Sequence, residues 1–148
     1  MFGAHFVEVE VDLVMGRVRV VRAVCAHDAG RVVNPKLAAS QVRGGFLQGM
    51  GMALSEERVL DPRGGMMLNN TMLSYFTPTS LDVPEQIEVV MVEPTDTSNA
   101  VGTKGLGEPP LIGAGSAIAN AVYNAIGVRI RDYPMTPDKI LTALKEPA

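Results

Sequence analysis

Pro109 and Pro110 set the firmest boundary in this chain. Neither carries a backbone N–H, so the pair suits the first turn of a helix and not its interior. Pro109 also pushes the residue before it, Glu108, toward an extended backbone. Beyond the prolines, Leu111, Ala114, Ile118, Ala121, Val122 and Ala125 recur at helical spacing, which predicts a long helix with Gly127 as its C-cap. Before them runs Gly102-Thr103-Lys104-Gly105-Leu106-Gly107, where glycines allow the backbone to approach a ligand closely. Glu108 is therefore expected on a stiff loop at a helix entrance, beside room for a ligand, a suitable place for one positioned acid or base. The same residues also read as a tight turn and a helix start with an acid in its first turn. They do not form a phosphate loop. Lys104 lacks the gap and second glycine that precede a Walker lysine, and Gly113-Ala114-Gly115 does not follow a predicted strand.

Upstream, His5–Asp12 alternates, with Val7, Val9 and Val11 on one parity and Phe6, Glu8, Glu10 and Asp12 on the other, the pattern of a half-buried strand. A turn at Leu13–Gly16 leads to Arg17–Ala26, which alternates at first, and the two strands predict an antiparallel hairpin. Asn34 and Pro35 are a natural N-cap and first residue for a helix reaching about Glu57. Its middle holds Gly44, Gly45, Gly49 and Gly51, each costing roughly 1 kcal/mol against alanine. Such glycines report the close approach of either a ligand or a second helix. Met66–Phe76 is expected to be extended in part. Gln86–Glu93 reads as a strand, and Thr136-Pro137 starts a short last helix with Ile140, Leu141 and Leu144. The expectation is one α+β domain over residues 1–148: an antiparallel β-sheet with two long helices and a short C-terminal helix on one side.

Composition narrows the function classes. With 148 residues the chain matches one typical domain, and 47% hydrophobic against 20% charged residues describe a globular protein. A net charge of −3 without a basic, aromatic-laced stripe gives no support for nucleic-acid binding. No apolar run is long enough to span a bilayer and no signal peptide is visible, so no membrane role and a cytoplasmic location are expected. One cysteine, Cys25, excludes an intrachain disulfide and any Cys-x-x-Cys cluster site, and in the run Val24-Cys25-Ala26 it reads as a small buried hydrophobe. His5, His27 and Asp28 are weak metal candidates, since two histidines without a third patterned ligand do not define a site.

Four stretches, in order, resemble the C-terminal part of the molybdenum-binding subunit of the xanthine dehydrogenase/aldehyde oxidase family. They are Gly3–Asp12, His27–Pro35, Gln41–Gly51 with Glu56-Glu57, and Gly102–Pro110. Similarity extends through Ala119–Tyr123 and Met135–Pro137 and covers nearly the whole chain. The glycine–glutamine helix combined with Lys-Gly-x-Gly-Glu-Pro-Pro is the specific part. The resemblance implies hydroxylation of an aldehyde or N-heterocycle at a molybdenum–molybdopterin cofactor. It makes Glu108 the base glutamate, Gln41 a pterin-contacting amide, and the backbone of Lys104, Gly105, Leu106 and Gly107 part of the cofactor's wrapping.

The family subunit is several times longer than this chain. The resemblance therefore implies that the rest of the cofactor cleft and most of the substrate pocket lie elsewhere. Iron–sulfur and FAD centres would sit only on partner chains. The chain is expected to work with the remaining part of the molybdenum subunit and with iron–sulfur and flavin subunits on a small-molecule substrate, to be inactive alone, and to self-associate as a homo-oligomer when isolated. A split subunit, a remnant or an isolated domain all fit this length. The competing function class is a non-catalytic remnant or assembly domain that keeps the fold without turnover.

Overall fold

The computed structural model describes residues 1–145, so the last three residues of the expected 1–148 domain lie outside the described part. Two strands open the chain, β1 (Gly3–Asp12) and β2 (Arg17–Asp28), followed by helix α1 (Pro35–Leu54), strand β3 (Gln86–Val92), helix α2 (Pro109–Ile126) and helix α3 (Pro137–Ala143). β2 is the central strand, in the order β1-β2-β3. Helices α1 and α2 cover one face of the sheet. The core between the layers gathers Val20, Ala23 and Cys25 from β2, Val42, Phe46 and Met50 from α1, and Ala114, Ile118 and Val122 from α2.

β1 and β2 form the expected antiparallel hairpin, closed by Asp12, whose Oδ1 accepts from Val14 N and Met15 N at 2.8 and 3.0 Å. The pairing slips between Glu8 and Val9, leaving Val21 as an extra residue on β2. A bulge reverses the parity of the strand beyond it. Val18 and Val20 before it, and Ala23, Cys25 and His27 after it, all turn toward the core. This accounts for alternation in β2 that fades halfway along.

The sheet is mixed where an antiparallel one was expected, because β3 pairs parallel to β2. The 20-residue α1 carries the chain back along the sheet, and β3 then starts from the same end as β2. A parallel pair requires such a crossover. The stretch Met66–Phe76 forms no strand. It is irregular, apart from an isolated bridge between Leu60 and Met67. Helix α1 starts as the sequence predicts: Asn34 Oδ1 accepts from Leu37 N at 3.0 Å, with Pro35 following. It ends at Leu54, three residues short of Glu57. No described helix is long and apolar enough to cross a membrane.

Candidate functional site

Two of the α1 glycines serve helix packing. A Cβ on Gly45 would sit 2.7 Å from Pro110 Cβ, and one on Gly49 would sit 2.6 Å from both Ala114 Cβ and the Leu111 carbonyl oxygen. Gly45 thus meets the first turn of α2 and Gly49 the next, so the helices run in the same direction. Gly51 is closed in by Glu56 and Pro78. Gly44 is different, since a Cβ there would meet nothing within 4 Å. It shares an exposed stripe of α1 with Gln41 and Gln48. Because ten residues of α1 precede Gly45, the helix projects about 15 Å beyond the level of Pro110, at 1.5 Å per residue. Gln41 lies one turn before Gly45, on the part of α1 that extends past the first turn of α2. Its amide makes no hydrogen bond among the described residues.

That loop is pinned at two alternate residues. Leu106 packs against the core cluster. The Lys104 ammonium donates to Asp28 Oδ2 at 2.6 Å and lies 3.6 Å from Asp96 Oδ2. Between and beyond these anchors, Gly105 and Gly107 face outward. A Cβ on Gly107 would meet nothing within 4 Å, and one on Gly105 would touch only Met1 at 3.8 Å. Backbone bonds stitch the start of the loop to the segment after β2: Arg31 N donates to Gly102 O at 2.8 Å and Lys104 N to Ala29 O at 2.9 Å. Gly30 and Gly102 have φ of 58° and 73°, and a Cβ on Gly30 would collide with the Gly102 carbonyl, so this crossing needs glycine on both counts. From Gly105 to Glu108 the four N–H groups have no acceptor among the described residues.

Glu108 is the N-cap of α2, yet its side chain makes no capping bond. The prolines explain this. A capping carboxylate accepts from the N–H of the second or third helical residue. Pro110 has no N–H, and the N–H of Leu111 goes to the Glu108 carbonyl at 3.0 Å. The carboxylate is left exposed, with no partner among the described residues. The Glu108 backbone is helical (φ −97°, ψ −30°) and not extended as its position before a proline suggests, and a helix start with an acid at its mouth also describes this segment. Glu108 and the row of backbone donors lie on one loop, which offers an exposed carboxylate and four N–H groups, and Gln41 offers a free amide on the exposed stripe of α1.

The structure adds residues that sequence reasoning did not place. Asp96 lies outside every motif in the sequence, and Asp28 reads there only as a weak metal candidate beside the histidines. In the fold Asp28 turns to Lys104, while His5 and His27 turn to each other, their Nε2 atoms 2.7 Å apart. No group of three His, Cys, Asp or Glu side chains among the described residues could hold a metal ion. Cys25 is fully buried, and burial pushes its thiol up to about 11. An open cleft of about 540 Å³ runs beside the start of the loop, walled by Arg31, Asp96, Asn99 and Gly102. Neither Glu108 nor Gln41 lines it.

The profile of the molybdopterin cofactor-binding domain family matches residues 1–84. The aldehyde oxidoreductase molybdenum-binding subunit PaoC of Escherichia coli K12 is 51% identical over 146 residues, covering 98% of this chain and 20% of that protein. Among solved structures, the aldehyde oxidoreductase of Desulfovibrio gigas superposes with a TM-score of 0.88 at 32% identity, over 97% of this chain and 15% of that one. Quinoline 2-oxidoreductase of Pseudomonas putida 86 gives 0.86 at 33%, over 93% and 18%. This chain spans about a fifth of the curated relative's length. With more than half of its residues matched by the profile and the same fold in two solved oxidoreductases, the chain belongs to the molybdopterin cofactor-binding domain family.

Proposed function

We propose that this chain supplies the base and one wall of the cofactor site in a molybdenum-dependent hydroxylase of aldehydes or N-heterocycles, with residues 1–148 acting as one domain. The observation that carries the reading is the Glu108 carboxylate, which the double proline leaves unpaired at the mouth of α2 beside four free N–H groups. The residues fit a pterin cofactor. Its ring nitrogens and oxygens call for donors and acceptors at close range. The backbone from Gly105 to Glu108 offers donors, the Gln41 amide offers both, and open space at Gly107 and Gly44 leaves room for a planar group. When bound, the molybdenum cofactor supplies the two-electron oxidation and the oxygen transfer. The protein's part is to bind, orient and move a proton. Gln41 and the glycine loop would hold the pterin edge, and Glu108 would take a proton from the attacking oxygen, a role worth about 10²–10⁴ in rate.

The surface is open on one side, which supports a partner-dependent activity: the opposite wall and the substrate pocket would come from the remaining part of a molybdenum subunit. Iron–sulfur and FAD subunits would carry the electrons away. The relatives' names point to aldehydes and aromatic nitrogen rings as the substrate class. The test is Glu108→Gln in the assembled protein. Turnover should fall by about 10²–10⁴ with molybdenum content unchanged. Turnover that survives this substitution would reassign the chain to a non-catalytic assembly role.

A further inference from the structure

Lysines in glycine loops commonly offer their charge to a ligand, but here the charge is spent inside the protein. Lys104 Nζ sits between two carboxylates from different parts of the fold: Asp28 at the end of β2, at 2.6 Å, and Asp96 after β3, at 3.6 Å. All three side chains are largely covered, at 20%, 12% and 17% exposure. Each carboxylate is itself fixed. Asp28 Oδ1 accepts from Gly30 N at 3.1 Å and Asp96 Oδ1 from Ser98 N at 2.7 Å. The clasp therefore joins three chain segments at the point where the loop turns outward to expose its free N–H groups.

We propose that Asp28 and Asp96 are positioning residues: by holding the Lys104 ammonium they fix the backbone from Gly105 to Glu108 in the place from which its N–H groups and the Glu108 carboxylate are presented. A loop carrying three glycines has little stiffness of its own. Leu106 secures one point, and the bond from Lys104 N to Ala29 O ties the backbone two residues earlier to the end of β2. The ammonium clasp adds a side-chain anchor at that same residue and extends it to the segment after β3. Paired, partly desolvated charges hold such a point well, and losing one partner leaves the other uncompensated. Both carboxyls are held below the usual aspartate range, Asp28 first by its bond from Lys104 and Asp96 first by its bond from Ser98. The clasp is thus fully charged at neutral pH. The loop's orientation toward a cofactor rests on the function proposed above, whereas the clasp itself rests on geometry alone.

The experiment uses the chain purified from its source with whatever chains accompany it. Amide hydrogen exchange is followed at residues 102–108 and along α2, and pterin content is measured by fluorescence after oxidative release. Asp28→Asn and Lys104→Met should each speed exchange at 102–108 several-fold and leave the middle of α2 unchanged. The double variant should be no looser than either single one, since the pair acts as a unit. Asp96→Asn, at the longer contact, should show a smaller change in the same place, and it stands in for Asp28→Asn if that variant does not fold. Pterin retention should fall several-fold in step with exchange. Unchanged exchange at 102–108, or exchange rising equally along α2, would overturn the clasp. A loosened loop with wild-type pterin content would overturn the positioning role. A wild-type protein that binds no pterin would instead refute the cofactor reading, and the exchange data would still decide the clasp.

Discussion

The imidazoles of His5 and His27 meet edge to face, their Nε2 atoms 2.7 Å apart and their Nδ1 atoms buried without partners among the described residues. One Nε2 must donate and the other accept, so the neutral rings hold opposite tautomers. Neither ring has space for a second proton at low cost. Burial, and then the charge of His27, push His5 down to about 4, and burial lowers His27 as well. Both groups stay neutral in the folded state and gain protons on unfolding below the ordinary value of 6.5. Stability is therefore complete above that value and is lost as pH falls below it, by up to about 1.4 kcal/mol per unit for His5 until about 4, with His27 acting in the same direction. Urea unfolding at pH 7 and pH 5 should show this loss. Replacing both histidines with leucine should flatten it, and an unflattened profile would assign the acid sensitivity elsewhere.

The glycines of α1 should divide by what they face. Gly49→Ala would force a Cβ to 2.6 Å from the Leu111 carbonyl, which no rotamer change relieves. Overpacking of this kind costs about 1–3 kcal/mol, more than the roughly 1 kcal/mol gained in helix propensity. Gly44→Ala meets open space and should raise stability by up to about 1 kcal/mol. Thermal melts of the two variants should shift in opposite directions.

The sheet face away from the helices carries Phe6 and Val92, which are 68% and 49% exposed. Apolar side chains on a bare sheet face favour association. The isolated chain should form concentration-dependent oligomers in sedimentation. Phe6→Lys with Val92→Lys should lower the apparent mass, and an unchanged mass would place the contact on another surface.

The Lys104 clasp sets a pH window of its own. Asp28 and Asp96 have lowered folded-state values, so their contribution is lost as pH falls below the carboxylate range. Lys104 is raised, first by its bond to Asp28, so its contribution is lost as pH rises past its ordinary 10.5. Exchange at residues 102–108, corrected for intrinsic rate, should be flat between about pH 5 and pH 9. A step within that range would mean that another group controls the loop.

Much of this was legible in the sequence because it rests on local chemistry. Asn34-Pro35 and Pro109-Pro110 mark helix starts by covalent structure, and the valines of β1 declare their buried face. The direction of β3 was not legible, since a strand's own alternation says nothing of its partner's polarity. That information lay in α1, whose length is a crossover's length. The α1 glycines were ambiguous for a physical reason: an absent side chain records proximity without naming the neighbour. The clasp was invisible because Asp28 and Lys104 are 76 residues apart. Glu108 was readable as a positioned acid, while its freedom from capping became clear only when the fate of each nearby N–H was known.

Because β2 and β3 are parallel, both strands deliver their chain to one end of the sheet. The segments 29–34 and 93–108 leave from that end, and the helices that follow them carry the chain away. The long irregular connection between Leu54 and Gln86 closes at the opposite end. Variation is thereby partitioned. Insertions between residues 55 and 85 can lengthen or reshape the far end without displacing Glu108, whereas one added residue between 93 and 108 moves it directly. Across relatives of this fold, length differences should gather in the first interval and be scarce in the second.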